Sequence, residues 1–372
     1  MLPHIRCIRI LVFRLAVGVG TVVATATALS AQPVYRLHNN GDLWVAKSEN
    51  CRGESCVVWY LLDNNPRTEE ITAGGQPTTP DGEPVGASDP LKAPPEAPPL
   101  YQRRTDGTIW LYTGKPCIGG SCTGWQLLDK NPQTVSIVAA GANLYKRHKS
   151  GAIWSYNDTP CLPDGSCPGW QQLDDNPATV EMIAAGRSTP DSHALYKRHN
   201  DGTIWRYTGP SCSGPSCWQQ LDNPLKTKEL TAAVSLGNGV AVHALYQLDT
   251  NGSIWHYTGP RCSGASCWKP IDTKKGAISI VTNTETLYQL RGNGEILAYT
   301  GTACDASGCP GWQLLDKNTR TRHIAAGTRS LYKRHDDGAI WRSTGACGSD
   351  GSCPPWQLLY DPTIRTTVST QN

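Results

Sequence analysis

A unit of about 40–50 residues recurs seven times along this chain, and that repeat constrains the fold more than any other feature. Its clearest copy reads Leu195-Tyr196-Lys197-Arg198-His199-Asn200-Asp201-Gly202-Thr203-Ile204-Trp205-Arg206-Tyr207-Thr208-Gly209, then Cys212, Cys217 and Trp218-Gln219-Gln220-Leu221-Asp222. The anchoring tyrosines are Tyr35, Tyr101, Tyr145, Tyr196, Tyr246, Tyr288 and Tyr332. All 13 Trp fall at two repeat positions. Trp44, Trp110, Trp154, Trp205, Trp255 and Trp341 follow a Gly turn, where the sixth copy has Leu297. Trp59, Trp125, Trp170, Trp218, Trp268, Trp312 and Trp356 follow a Cys pair.

Each unit reads as four short strands, of the types Ile183 to Gly186, Leu195 to His199, Ile204 to Tyr207 and Trp218 to Asp222. Asn40-Gly41, Asp106-Gly107, Asp201-Gly202, Asn251-Gly252, Asn293-Gly294 and Asp337-Gly338 are hairpin-turn pairs between the second and third strands, and the third copy uses Ser150-Gly151. Neighbours such as Ile204 and Trp205 point to opposite faces of a strand. Both are large and apolar, so both faces need cover, and a sheet held between two similar sheets supplies it. With 37 Gly, 27 Pro and 14 Tyr, the composition also favours turns and pleated surfaces over helices.

The expected fold class is therefore all-β: a seven-bladed β-propeller of four-stranded blades, forming one domain over residues 32–372. The first copy begins at its second strand, Val34-Tyr35-Arg36-Leu37, and residues 364–369 are left over after the last copy. That C-terminal stretch is expected to supply the missing inner strand of the first blade and close the ring.

Residues 1–31 read as a signal peptide. Arg6, Arg9 and Arg14 precede an uncharged run over residues 15–31 with small residues at Ala26, Ala28, Ser30 and Ala31. A membrane anchor is the competing reading of that run. The expected destination is secreted, periplasmic or extracellular, with no membrane span after cleavage. Cleavage takes the formal charge from +3 to neutral, leaving no electrostatic footprint for nucleic acid.

Cys7 would leave with the signal. The other 14 Cys form seven close pairs: Cys51–Cys56, Cys117–Cys122, Cys161–Cys167, Cys212–Cys217, Cys262–Cys267, Cys304–Cys309 and Cys347–Cys353. Each lies between the third and fourth strands of its own unit, so one hairpin-loop disulfide per blade is expected. Zinc would need four ligands, and each pair sits on a separate blade. No Cys-x-x-Cys occurs for redox chemistry, and no metal or other cofactor is expected.

Strand alternation puts the first-to-second connection and the Cys loop on one face. Insertions gather in that connection: a Pro-rich one at residues 75–99, and smaller ones at 187–194 and 235–244. They read either as a binding face or as tolerated surface loops.

No Gly-x-Ser-x-Gly, His-Glu-x-x-His, phosphate loop or dinucleotide fingerprint occurs, so no catalytic residue is nominated and a non-enzyme is expected. An acid pair gathered across blades, as in a propeller hydrolase or lyase, stays open from sequence. The recurring Lys-Arg-His triplet has two readings. It serves packing between blades, or it joins a Trp in shallow pockets for sugars, which want an aromatic face beside forked hydrogen-bonding groups. The candidate ligand-binding residues are Arg147, His148 and Trp154; Arg198, His199 and Trp205; and Arg334, His335 and Trp341.

The units resemble tectonin and tachylectin-type propeller lectins in the run Ile183-Ala184-Ala185-Gly186, Leu195-Tyr196 and Asp201-Gly202-Thr203-Ile204-Trp205. The resemblance spans nearly all of residues 34–369 and implies carbohydrate binding between blades, with glycans or glycoconjugates as partners. The paired cysteines depart from that pattern. A non-enzymatic protein-interaction scaffold with a protein partner is the alternative.

Overall fold

The computed structural model describes residues 33–362, apart from 52–53, 75–98, 142, 187–192, 210–216, 222–226, 238–239, 260–266, 284–285, 303, 306–307, 328–329 and 344–355. The expected signal peptide, the Pro-rich insertion and the C-terminal strand at 364–369 lie outside the described residues.

Among the described residues, twenty-seven strands form seven antiparallel sheets. The first holds β1 (Val34–Leu37), β2 (Leu43–Cys51) and β3 (Glu54–Asp63). Six four-stranded sheets follow, each a meander in chain order: β4 (Thr68–Ala73) to β7 (Trp125–Asp129), β8 (Thr134–Ala140) to β11 (Trp170–Asp174), β12 (Thr179–Gly186) to β15 (Trp218–Gln220), β16 (Thr227–Gly237) to β19 (Trp268–Asp272), β20 (Ala277–Thr282) to β23 (Trp312–Asp316) and β24 (Thr321–Ala326) to β27 (Trp356–Tyr360). This is a seven-bladed propeller, numbered here as blades 1 to 7.

The opening strands β4 (Thr68–Ala73), β8 (Thr134–Ala140), β12 (Thr179–Gly186), β16 (Thr227–Gly237), β20 (Ala277–Thr282) and β24 (Thr321–Ala326) pack side by side around the axis. They line a central channel of about 550 Å³ with Ala139, Ala140, Ala184, Ala185, Ala232 and Ala233. Converging strands leave little room, which explains the small residues. A Cβ on Gly74 would sit 2.3 Å from the carbonyl oxygen of Gly141 in the next blade.

The core is divided into slabs. Six buried apolar clusters among the described residues each straddle one blade boundary. Between blades 3 and 4, Tyr145, Ile153 and Leu173 meet Met182, Leu195 and Trp218. Between blades 4 and 5, Tyr196 and Ile204 meet Leu230 and Leu245. One blade thus sends Leu195 backward and Tyr196 forward, as strand alternation requires.

The Trp after each Cys pair also reaches back. Its indole N–H donates to a carbonyl of the preceding blade: Trp125 to Leu62 at 2.8 Å, Trp170 to Leu128 at 2.9 Å, Trp218 to Leu173 at 3.3 Å and Trp312 to Ile271 at 2.7 Å. Trp59 of blade 1 does the same to Leu359 of blade 7 at 3.1 Å, and the Arg36 guanidinium lies 3.4 Å over the Tyr360 ring. The last blade therefore meets the first, and the ring is closed by packing.

The Gly turns take the left-handed conformation that the hairpin needs, as at Gly151 with φ of 89°. A Cβ there would also lie 2.2 Å from the Asn176 carbonyl oxygen.

Disulfides Cys117–Cys122, Cys161–Cys167 and Cys304–Cys309 are formed, and Cys217 and Cys267 are disulfide-bonded. The Cys51–Cys56 and Cys347–Cys353 side chains lie outside the described ones. The loops do not simply project from one face. Those of blades 2 and 3 fold back over the outer strand of the preceding blade: Cys117 N–H donates to Leu61 O at 2.9 Å and Cys161 N–H to Leu127 O at 3.2 Å. These two loops thus cover an exposed sheet edge.

The stretch 235–244, expected as a loop insertion, extends the sheet instead. β16 and β17 (Val240–Asp249) stay paired out to Gly237 and Val240. Val240 and Val242 flank Ala241 there, a period-2 placement of β-branched residues that suits pairing. At 187–194, His193 and Ala194 already belong to β13 (His193–His199).

Candidate functional site

The Lys-Arg-His triplets sit at the ends of second strands, beside the Gly turns. In blade 4 the register pairs Lys197 with Trp205 and Arg198 with Ile204. Lys197, His199 and Trp205 therefore share the face turned toward blade 3, and Trp218 on β15 (Trp218–Gln220) joins them opposite Tyr207. A cavity of about 470 Å³ opens there, lined by Lys197, His199, Trp205 and Trp218 from blade 4 and residues 174–177 from the incoming linker.

Lys197 is the floor. It is 2% exposed, and its Nζ donates to Asp174 Oδ2 at 2.6 Å. The ammonium also lies 4.3 Å from the Trp218 ring centroid. Thr179 donates to the same carboxylate at 3.4 Å. The latch recurs as Lys146–Asp129 at 2.7 Å between blades 2 and 3, and as Lys333–Asp316 at 2.7 Å between blades 6 and 7. Gln102 and Gln289 replace Lys in blades 2 and 6 and donate to Asp63 and Asp272 at 2.9 and 2.8 Å. Burial pushes the Lys146 and Lys197 ammonium groups down, and the paired carboxylates oppose that shift.

The histidine forms one wall with the third-strand Trp. Ring centroids are 5.5 Å apart in His148–Trp154, 5.4 Å in His199–Trp205 and 5.7 Å in His335–Trp341, with interplanar angles of 33 to 34°. All three imidazoles are at least nine-tenths buried, and none of their Nε2 atoms has a hydrogen-bond partner. Burial, then the adjacent Lys, holds each ring below its ordinary 6.5. The rings are thus neutral near pH 7. An unpaired buried polar atom costs about 1–3 kcal/mol, so three copies of the same one call for a reason.

The indole N–H groups differ. Trp205 Nε1 donates to Thr203 Oγ1 at 3.1 Å, and that hydroxyl donates to Asp201 Oδ1 at 2.7 Å. The 3.4 Å contact of Thr203 Oγ1 with His199 Nδ1 then fits a protonated Nδ1, leaving Nε2 as an acceptor. Trp110 and Thr108 repeat the relay at 2.9 Å. In blades 3 and 7 alanines, Ala152 and Ala339, stand at the Thr position, and the Trp154 and Trp341 N–H groups are unpaired. Trp44 Nε1 is unpaired as well.

Blade 1 keeps a histidine at this position, His38, while in blades 2, 5 and 6 the position is filled by a side chain that bonds within the ring. Arg104 lies 4.4 Å over Trp110 and reaches Asp63 at 3.5 Å. Asp249 accepts from Trp255 Nε1 at 3.1 Å, and Arg291 reaches Asp272 at 3.1 Å.

The expected grouping of each Arg with its neighbouring His and Trp does not occur. Arg147, Arg198 and Arg334 point to the other sheet face, because adjacent strand residues alternate. Arg198 pairs with Glu181 at 2.6 Å across the inner strand, as Arg103 does with Glu70 at 2.8 Å. Arg147 lies in the field of Glu70 and Glu181, and Arg334 lines the central channel. What the sequence reading missed are the lysines, their Asp partners and the fourth-strand Trp. Two signals could have found them: Lys197 is two residues from His199, hence on its face, and an Asp ends most fourth strands.

The described residues hold no His, Cys, Asp and Glu group fit for a metal, and none of their helices is long and apolar enough to cross a membrane.

No protein-family model and no curated relative matches the chain. Among solved structures, it is similar to human WBSCR16, with 10% identity over 82% of this chain and 84% of that one and a TM-score of 0.49. It is similar to Prp20p from Saccharomyces cerevisiae, which binds Gsp1p and histones, with 10% identity over 80% and 87% and a TM-score of 0.45. It is also similar to the SapL1 lectin in complex with alpha methyl fucoside, with 17% identity over 78% and 96% and a TM-score of 0.42. Likenesses this distant leave open what the chain binds.

Proposed function

We propose that this chain is an exported, non-enzymatic carbohydrate-binding propeller, whose sites are the pocket between blades 3 and 4 and the equivalent His–Trp positions between blades 2 and 3 and between blades 6 and 7. One observation carries the reading: the cavity beside His199 and Trp205, where an aromatic wall stands next to a buried polar atom with no partner. A sugar ring has an apolar C–H face for the indole and hydroxyls for the imidazole. The Lys197–Asp174 pair is internally neutralised, which suits an uncharged ligand. Repetition on one rigid ring favours a clustered glycan through avidity.

A glycan array probed with protein lacking residues 1–31 tests this. Binding competed by a free monosaccharide, and weakened at least tenfold by Trp205→Ala together with Trp154→Ala and Trp341→Ala, is expected. An array that stays silent would overturn it and leave the protein-interaction scaffold as the reading.

A further inference from the structure

We propose that the three sites fall into two specificity classes set by the residue two positions before the third-strand Trp: Thr203 in one, Ala152 and Ala339 in the others. This rests on the carbohydrate reading of the sites.

The indole N–H is a donor with no accepting capacity. In the pocket between blades 3 and 4 it is committed to Thr203, whose own proton is committed to Asp201. That pocket keeps only His199 Nε2, an acceptor, so it asks its ligand for one donated proton. At the equivalent His–Trp positions between blades 2 and 3 and between 6 and 7, the side chains of Ala152 and Ala339 have no oxygen to offer. Trp154 Nε1 and His148 Nε2, and likewise Trp341 Nε1 and His335 Nε2, are all unpaired and buried.

These two positions therefore present two unmet groups each, one of which can only donate. The chemistry that meets both is a pair of hydroxyls on adjacent sugar carbons, or a single hydroxyl that accepts from the indole and donates to the imidazole. A deoxy sugar, or any ligand without an acceptor oxygen there, leaves the indole unpaired. Thr203 thus acts as a filter: it satisfies the wall internally and removes one demand on the ligand. The same switch is written as Asp-Gly-Thr-Ile-Trp at 201–205 and Gly-Ala-Ile-Trp at 151–154 and 338–341.

Fluorine-labelled tryptophan reads the sites separately by NMR. The probe is the methyl glycoside of whichever monosaccharide competes on the array. The Trp154 and Trp341 signals should titrate at roughly tenfold lower concentration than the Trp205 signal, the worth of one hydrogen bond. Ala152→Thr and Ala339→Thr should each bring their own site to the level of Trp205. Blade 7 is the cleaner case, since Asp337 already stands where Asp201 does. Thr203→Ala should strengthen its site, and Thr203→Ser, which keeps the hydroxyl, should leave it unchanged.

Equal affinities at the three tryptophans, or Ala→Thr variants that fold and bind as before, would overturn the two-class assignment while leaving sugar binding intact. A silent array would instead remove the carbohydrate reading itself, and this assignment with it.

Discussion

Lys197 Nζ and Asp174 Oδ2 meet at 2.6 Å across the boundary between blades 3 and 4, and almost no water reaches either group. Removing one partner leaves a buried charge unpaired. Lys197→Met should therefore cost about 3 kcal/mol or more in denaturant unfolding. Lys197→Met with Asp174→Asn should recover much of that loss, because neither charge is then stranded. A double variant as unstable as the single one would show that the pair does not couple the blades.

Acid should loosen the ring. His148, His199 and His335 are held below 6.5, first by burial and second by the adjacent Lys. The unfolded chain then takes up protons at a higher pH than the folded one. Their contribution is full above about pH 6.5 and is lost as pH falls through the folded values. Glu70 and Glu229, pushed up by burial, work in the other direction nearer the acid end. Thermal melts should fall by a few degrees between pH 7 and pH 5. His38, His256 and His323 are also held down by burial, so a variant with all three pocket histidines changed to Asn should lose part of that slope.

The disulfide loops should matter beyond their own hairpins. Closing a ring as small as Cys161–Cys167 is worth about 2 kcal/mol in the chain-entropy account. The loop also covers Leu127 O on blade 2. Cys161→Ala with Cys167→Ala should lower stability by about that amount and raise amide exchange on β7 (Trp125–Asp129), not only on blade 3. Exchange confined to blade 3 would remove the edge-covering role.

Deleting residues 364–372 should destabilise the whole domain. Among the described residues β1 pairs with β2 alone, and its inner edge carries no strand. A truncated protein that melts at the same temperature as the full chain would show that the tail is not the closing strand.

Seven copies, two apolar faces per unit, glycine turns and local cysteine pairs are all legible along the chain, because each is set within a few residues by strand alternation, backbone sterics or ring closure. Alternation also separates Arg198 from His199 in advance, so that part of the site was open to reading before any fold was known. What the linear order does not contain is which copy faces which. Asp174 and Lys197 belong to different units and are brought together only when blades stack about the axis, and the loop at Cys161 finds Leu127 in the same way. The pocket beside His199 is likewise a property of the boundary: half its lining comes from the linker out of blade 3. Local chemistry determined the unit. Burial shared between units, which no single copy can supply, decided the site.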